Sequence, residues 1–442
     1  MELYIHIPFC VKKCRYCDFL SFAGKEACFK DYIAALCAEL GSYRQLIREK
    51  GLDTIFIGGG TPSILPVPLM EELLGTIDLL IAESGTEPRE YTIECNPGTL
   101  DREKLRLYRQ HGINRLSIGL QSVNDDELKM LGRIHDFTCF LDNYRLAREE
   151  GFDNINIDLI SALPGQTADS WERTLRTVAE LNPEHISAYS LIIEPGTPFY
   201  DIYGDNGSAH SYNSNLNNVV DEAETAAVDQ GCDEKAAEMP PLPDEDEERR
   251  IYRMTAGILA EYGYSRYEIS NYSKPGHESK HNLGYWTGAD YIGAGLGASS
   301  YFCRKGTDKS DMSAVRYKNA EKLTEYINLF SGKDPLDNTD NAGAAALRFL
   351  QEGLWNTPNG CNEVSLLNRS DLIGEYMMLH LRLTHGFSVT EFERVFSQNI
   401  YDLFGDIIAK YSKLGLMETE KGYICLTESG LDVSNSIMSD FL

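Results

Sequence analysis

The sequence is short of positive charge. Its 41 Lys and Arg stand against 68 Asp and Glu, a net charge of −27. A surface of that sign repels nucleic-acid phosphates, which argues against general DNA or RNA binding. Long apolar runs are missing too. No stretch reaches about 18 apolar residues, so no helix is expected to span a membrane. The N-terminus lacks the basic segment of a secretory signal, and none is expected. A disulfide framework has little support. The 11 cysteines are odd in number and scattered, apart from one tight group. That usage fits a reducing, cytoplasmic compartment better than a secreted scaffold. No internal repeat is visible.

What is present suits a folded protein. Apolar residues make up 42% and charged residues 25% of 442 positions, enough for a core and for two or three domains. The negative charge is uneven. Residues 201–250 hold 14 Asp and Glu against 3 Lys and Arg, or −11 of the −27. Within this block, 203–240 is rich in Asn, Asp, Glu, Ser and Ala. It reads as a surface insertion, in part disordered, with one short helix over 216–228.

Before that block, short β-rich runs alternate with helical patterns. The runs are LYIHI (3–7), TIFIGG (54–59), YTIECN (91–96), RLSIGLQS (115–122), NINIDLIS (154–161) and HISAYSLII (185–193). Helical periods fill gaps such as Glu26 to Ile47 and Ala168 to Leu181. Six strands with helical crossovers predict an α/β fold with a parallel sheet. Right-handed crossovers would curl it into an open, partial (β/α)6 barrel spanning 1–200. Chemistry in such barrels sits at the C-terminal strand ends, where Gly58–Thr61, Glu94, Gln121 and Asp158 fall. The helical period returns from Pro243 to Tyr262. Residues 361–442 read as helices followed by a small hairpin within 415–430, a winged-helix-like module.

The tight cysteine group is CVKKCRYC, with Cys10, Cys14 and Cys17 just after the first strand run. Thiolates are soft ligands for zinc or iron–sulfur clusters. Three thiolates on a 4Fe–4S cluster leave one iron open to a cofactor. A zinc ion borrowing a distant fourth ligand, or inert thiols, are the plainer readings.

The wider stretch YIHIPFCVKKCRYCDF resembles the radical S-adenosylmethionine (SAM) family. The likeness is to the branch holding oxygen-independent coproporphyrinogen III oxidase and the HemW heme chaperones. FIGGGTPSIL, IECNPGTL, RLSIGLQS, LGRIH, IDLISALPGQT and SLIIEPGTPFY follow in the family's order, then YEISNYSKPG and HNLGYW. The resemblance implies a 4Fe–4S cluster on Cys10, Cys14 and Cys17, with SAM on the open iron. One electron from the cluster would then cleave the sulfonium bond and start radical chemistry. It also implies SAM contacts at Tyr4, Tyr16, Gly59, Gly60, Thr61, Glu94, Gln121, Arg133 and Asp158. Glycines there allow close backbone approach, and Glu94 can pair with SAM's cationic end. Ser161-Ala162 departs from the family's usual Tyr-Gly and leaves Asp158 in place.

Within the branch, two departures favour the heme chaperones. The oxidase carries a fourth cysteine where this chain has Phe19, and a long arm where only nine residues precede Cys10. HNLGYW resembles the heme-associated motif of the chaperones, making His281 the heme-binding candidate in a region spanning 243–360. Where relatives often read Ala-His-Ser-Tyr, this chain has Ser299, and His277 is the nearby substitute. The implied function is heme binding and delivery to respiratory apo-hemoproteins, with flavodoxin or ferredoxin as electron donor for any radical step. No catalytic residue is singled out, and the alternative is coproporphyrinogen III oxidation or another radical SAM modification of a tetrapyrrole. Delivery to respiratory proteins implies work at the inner face of the membrane, although the negative surface opposes simple adhesion to anionic lipid.

Overall fold

The computed structural model describes residues 1–204, 239–305, 312–331 and 341–442. The expected helix at 216–228 and nearly all of the 203–240 insertion lie outside the described residues. Six strands form the centre: β1 (Glu2–Ile7), β2 (Thr54–Gly59), β3 (Glu90–Cys95), β4 (Arg115–Gln121), β5 (Ile155–Ser161) and β6 (His185–Ser190). Each pairs in parallel with the next in chain order. Every strand expected from the sequence is present. The run expected over 185–193 ends earlier, at Ser190, where the chain leaves the sheet ahead of Pro195.

Strand alternation sorts the side chains. Leu3, Ile5, Ile7, Ile55, Ile57, Ile93, Ile118 and Ile157 are buried against the covering helices. Those helices include Phe29–Ser42, Val67–Ser84, Arg102–Gln110, Phe137–Glu149 and Ala168–Glu180. Asp101, Asp136 and Thr167 cap three of them by accepting backbone N–H bonds, satisfying donors a helix start leaves free. The other sheet face carries polar and aromatic residues, among them Tyr4, His6, Thr54, Phe56, Glu94, Arg115 and Asp158. This face lines the barrel lumen. The single helix expected over 26–47 divides at Tyr43, whose hydroxyl is tied to that of Tyr317 at 3.0 Å.

The sheet continues beyond six strands. Added are β7 (Ser265–Arg266), β8 (Asn271–Ser273), β9 (Tyr291–Ala294), β10 (Ser299–Lys305), β11 (Met312–Asn319) and β12 (Cys361–Leu367). The spatial order is β12-β11-β10-β9-β1-β2-β3-β4-β5-β6-β8-β7. β9 runs parallel to β1, and β8 runs antiparallel to β6. The C-terminal part has its own core around Met377, Phe387, Phe392, Ile408 and Ile424. Its helices Arg369–His380, Val389–Phe396 and Ile400–Lys413 pack with a three-stranded antiparallel sheet that includes the hairpin Met417–Glu420 and Tyr423–Leu426. Among the described residues, no helix is long and apolar enough to cross a membrane.

Candidate functional site

Pro8 turns the chain out of β1 into the loop carrying Cys10, Cys14 and Cys17. All three thiols are half-buried and free. Arg15 N donates to Leu131 O at 3.0 Å, which ties the loop to the segment Leu131–His135. Thr61 Oγ1 donates to Cys10 Sγ, and Arg133 Nη1 to Cys14 Sγ, each at 3.6 Å. Burial pushes the Cys10 thiol up, offset by the Thr61 and Ser21 hydroxyls. Burial drives Cys17 up to about 11. Among the described residues, no three His, Cys, Asp or Glu side chains converge tightly enough to hold a single metal ion. A multi-iron cluster instead takes each thiolate on a different iron, with the sulfurs spread apart. Phe19, two residues beyond Cys17, is 64% exposed.

The glycines ending β2 lie against this loop. A Cβ on Gly60 would stand 2.7 Å from Phe9 O and 3.0 Å from Cys10 Sγ. A Cβ on Gly58 would stand 3.0 Å from Glu94 Oε2. Gly59 has φ +114°, a conformation essentially reserved for glycine. Its N–H donates to Glu94 Oε2 at 3.0 Å. Burial, with Asp158 adding to it, pushes the Glu94 carboxyl up to about 8. Asp158 accepts from Ser117 Oγ at 3.0 Å and from Asn156 Nδ2 at 2.8 Å. Beyond it, Ala162 takes φ 57°, at a cost of about 1–2 kcal/mol that a glycine escapes.

Arg133 is the hub of the rim. Besides Cys14 it reaches Tyr16 Oη at 3.5 Å, Asn96 Oδ1 at 2.6 Å and Gly119 O at 2.7 Å. Asn96 completes the chain by donating to Thr61 Oγ1 at 2.9 Å. Asn96 went unremarked in the sequence because Asn-Pro-Gly reads as a turn; its place two residues after Glu94 was the available signal. Gln121 sits at a bulge with φ 73°. Its amide would be 2.9 Å from a Cβ on Gly119, the residue Arg133 also contacts. Cys10, Cys14, Tyr16, Gly59, Gly60, Thr61, Glu94, Gln121, Arg133 and Asp158 therefore gather at the C-terminal strand ends. Tyr4 lies one layer lower. Its hydroxyl meets His6 Nδ1 at 3.0 Å, and His6 Nε2 meets Leu20 O at 2.8 Å.

His281 is elsewhere, on the helix Lys280–Trp286 at the opposite end of the lumen. Glu90 Oε1 accepts from Ser279 Oγ at 3.2 Å and His281 N at 3.1 Å, and Glu90 Oε2 from Lys280 N at 2.9 Å. A carboxylate at a helix start is favourable in charge and in hydrogen bonding. Gly284 packs on Glu2, leaving no room for a Cβ. The His281 ring is 1% exposed and stacks on Phe56 at 5.2 Å. Nδ1 is 2.7 Å from Thr54 Oγ1, and Nε2 is 3.0 Å from Tyr285 Oη. Burial, with Arg115 adding to it, lowers its pKa to about 3, so the ring is neutral.

A cavity of 470 Å³ opens beside this helix, within the usual range of about 300–1,000 Å³ for small-molecule sites. Tyr4, Phe56, His281, Tyr285, Trp286, Tyr291 and Tyr301 wall it, and Ser299 lines it as well. At one side Arg316 donates to Glu375 through both terminal nitrogens, at 2.9 and 3.1 Å. His277 is not among the lining residues. Tyr291 and Arg316 went unnoticed in the sequence, since only β9–β11 pairing brings them beside HNLGYW.

Family models match the barrel and the C-terminal part of the chain. Residues 4–178 match the radical SAM superfamily, and residues 367–433 match the HemN C-terminal domain. The heme chaperone HemW of Bacillus subtilis is 31% identical over 440 residues, covering 99% of this chain and 98% of that protein. The heme chaperone HemW of Escherichia coli is 38% identical over 299 residues, covering 67% of this chain and 69% of its own. The solved coproporphyrinogen III oxidase (HemN) from Escherichia coli, a radical SAM enzyme, matches with a TM-score of 0.71 at 22% identity. It covers 100% of this chain and 89% of its own. At that identity the likeness speaks for the fold alone.

Proposed function

The chain belongs to the radical SAM family, in its HemW branch, and we propose that it is a heme chaperone. In this reading it binds heme in the aromatic cavity, keeps a SAM-ligated 4Fe–4S cluster at the barrel rim, and passes heme to respiratory apo-hemoproteins. The observation that carries the reading is the cavity itself. A planar apolar macrocycle needs flat aromatic walls, and six aromatic rings besides His281 supply them. Its two carboxylates need a cation at the edge, and Arg316 lines that side of the cavity, held by Glu375, a pairing that the heme carboxylates would have to share or replace.

The rim fits a cluster and SAM by its donor set. Cys10, Cys14 and Cys17 would supply three thiolates, with Thr61 and Arg133 stabilising the charge on two of them. The glycine edge bares backbone to SAM's methionine end, and Glu94 faces its cationic group. Asp158, held by Ser117 and Asn156, is oriented to accept ribose hydroxyls. Tyr16 walls the pocket beside Arg133. Bound there, the cluster supplies one-electron reduction of SAM, and a flavodoxin- or ferredoxin-type protein would feed it. Heme delivery would take place at the inner face of the membrane.

Two assays on one anaerobically reconstituted preparation test this. Ferric heme titration should show one heme bound per chain. Incubation with coproporphyrinogen III, SAM and a low-potential reductant should yield no protoporphyrinogen IX. Turnover in the second assay, or no heme uptake in the first, would sink the chaperone reading.

A further inference from the structure

We propose that Tyr291 is the axial ligand to ferric heme in the aromatic cavity, and that His281 is a fixed wall of it. The inference rests on reading that cavity as the heme site. His281 has no nitrogen to spare: Thr54 and Tyr285 occupy Nδ1 and Nε2 at 2.7 and 3.0 Å. Ser299 offers only a poor hydroxyl ligand. Two of the tyrosines are also committed, Tyr4 to His6 and Tyr285 to His281. Tyr301 is 7% exposed and its hydroxyl lies against Cys303.

Tyr291 differs from all of these. It is half-buried at the start of β9 and faces the cavity. Its ring is braced edge-on by Tyr285 at 4.8 Å and stacked with Tyr301 at 5.9 Å. Arg316 lines the same cavity, over the Tyr301 ring at 5.3 Å. Burial pushes the Tyr291 hydroxyl above its ordinary value, and the nearby guanidinium charge opposes that shift. Arg316 is itself held in place by Glu375. A tyrosine oxygen is a known axial ligand to heme iron. The step balances without electron transfer. The Tyr291 oxygen bonds to iron, and its proton leaves with the hydroxide that iron brings, as water.

The test is ferric heme titration followed by absorption and EPR spectroscopy on the full chain. The wild type should give a high-spin spectrum with a phenolate-to-iron charge-transfer band. Tyr291→Phe should lose that band and bind about tenfold more weakly. His281→Gln should keep the band whatever its affinity. Tyr291→His should convert the spectrum to a histidine-ligated form, which guards against a Phe variant that fails to fold. A band that survives in Tyr291→Phe, or disappears in His281→Gln alone, overturns the assignment while leaving heme binding intact. If the wild type takes up no heme, the chaperone reading falls and this inference with it.

Discussion

The two ends of the barrel satisfy their polar groups in opposite ways. At the C-terminal rim, Cys10 and Cys14 each receive one long hydrogen bond of 3.6 Å, and Glu94 receives one backbone N–H. Short side chains and glycines dominate, so thiols, carboxylates and backbone are left with capacity to spare. At the lower end, both nitrogens of His281 are bonded within 3.0 Å, and Glu90 takes three donors from one helix start. Rings face the cavity there, with the paired charges of Arg316 and Glu375 at one side. The rim is built to be completed by charged and metal groups. The lower end is built as a finished wall against which a flat apolar body can rest.

If the two ends are separate sites, the largest effect should fall on one alone. Cys10→Ala, Cys14→Ala or Cys17→Ala should abolish the brown cluster absorbance after reconstitution with iron and sulfide. Ferric heme affinity of the same variants should stay at the wild-type value. Loss of heme binding together with the cluster would make the two regions one site.

Two glycines give a sharper pair. Gly60→Ala places a Cβ against Phe9 O and Cys10 Sγ, forcing the cysteine loop outward. Gly284→Ala collides with Glu2 and pushes the His281 helix away from the sheet. Overpacking of this kind costs about 1–3 kcal/mol. The first variant should lose iron and sulfide content and keep heme; the second should do the reverse. Denaturant melts and metal analysis read both effects, and equal damage to both functions in either variant would break the contrast.

Protonation separates the ends as well. Glu94 titrates near 8 against an ordinary value of 4.5, so at pH 7 it is mostly neutral. Pairing with a cationic ligand requires the ionised form, so SAM binding should release a proton. Affinity should therefore rise with pH, approaching tenfold per unit below 8 and levelling above it. Calorimetry in buffers of different ionisation enthalpy measures the proton release, and Glu94→Gln should remove the slope. Ferric heme affinity should not follow this curve, because Glu94 does not line the cavity.

The contrast also explains what the sequence could reveal. The rim is assembled from short runs at strand ends, so CVKKCRYC, GGGT and IECN each place their residues almost without help from the rest of the fold. The six parallel strands were legible for the same reason, since each repeats a local pattern with a helix after it. The cavity joins Tyr4, Phe56, Tyr291, Tyr301, Arg316 and Glu375, which meet only through pairing of β9 to β1 and docking of the C-terminal helix Arg369–His380. No local period marks such a set. HNLGYW was visible as a motif, but its helical spacing gave no sign that Thr54, in β2, would occupy the histidine's Nδ1.

The smallest effect comes from a glycine that belongs to neither end. Gly75 lies inside the helix Val67–Ser84, and a Cβ there meets nothing within 4 Å. Glycine inside a helix costs about 1 kcal/mol relative to alanine, because the unfolded chain has more freedom to lose. Gly75→Ala should therefore stabilise the fold by about that much, read as a higher denaturant midpoint at unchanged slope. Cluster content and heme affinity should both stay at wild-type values. A loss of stability would mean that free space around a built Cβ does not predict tolerance in this chain. The steric reading of Gly60 and Gly284 would then lose its support, since all three positions are judged by the same clearance.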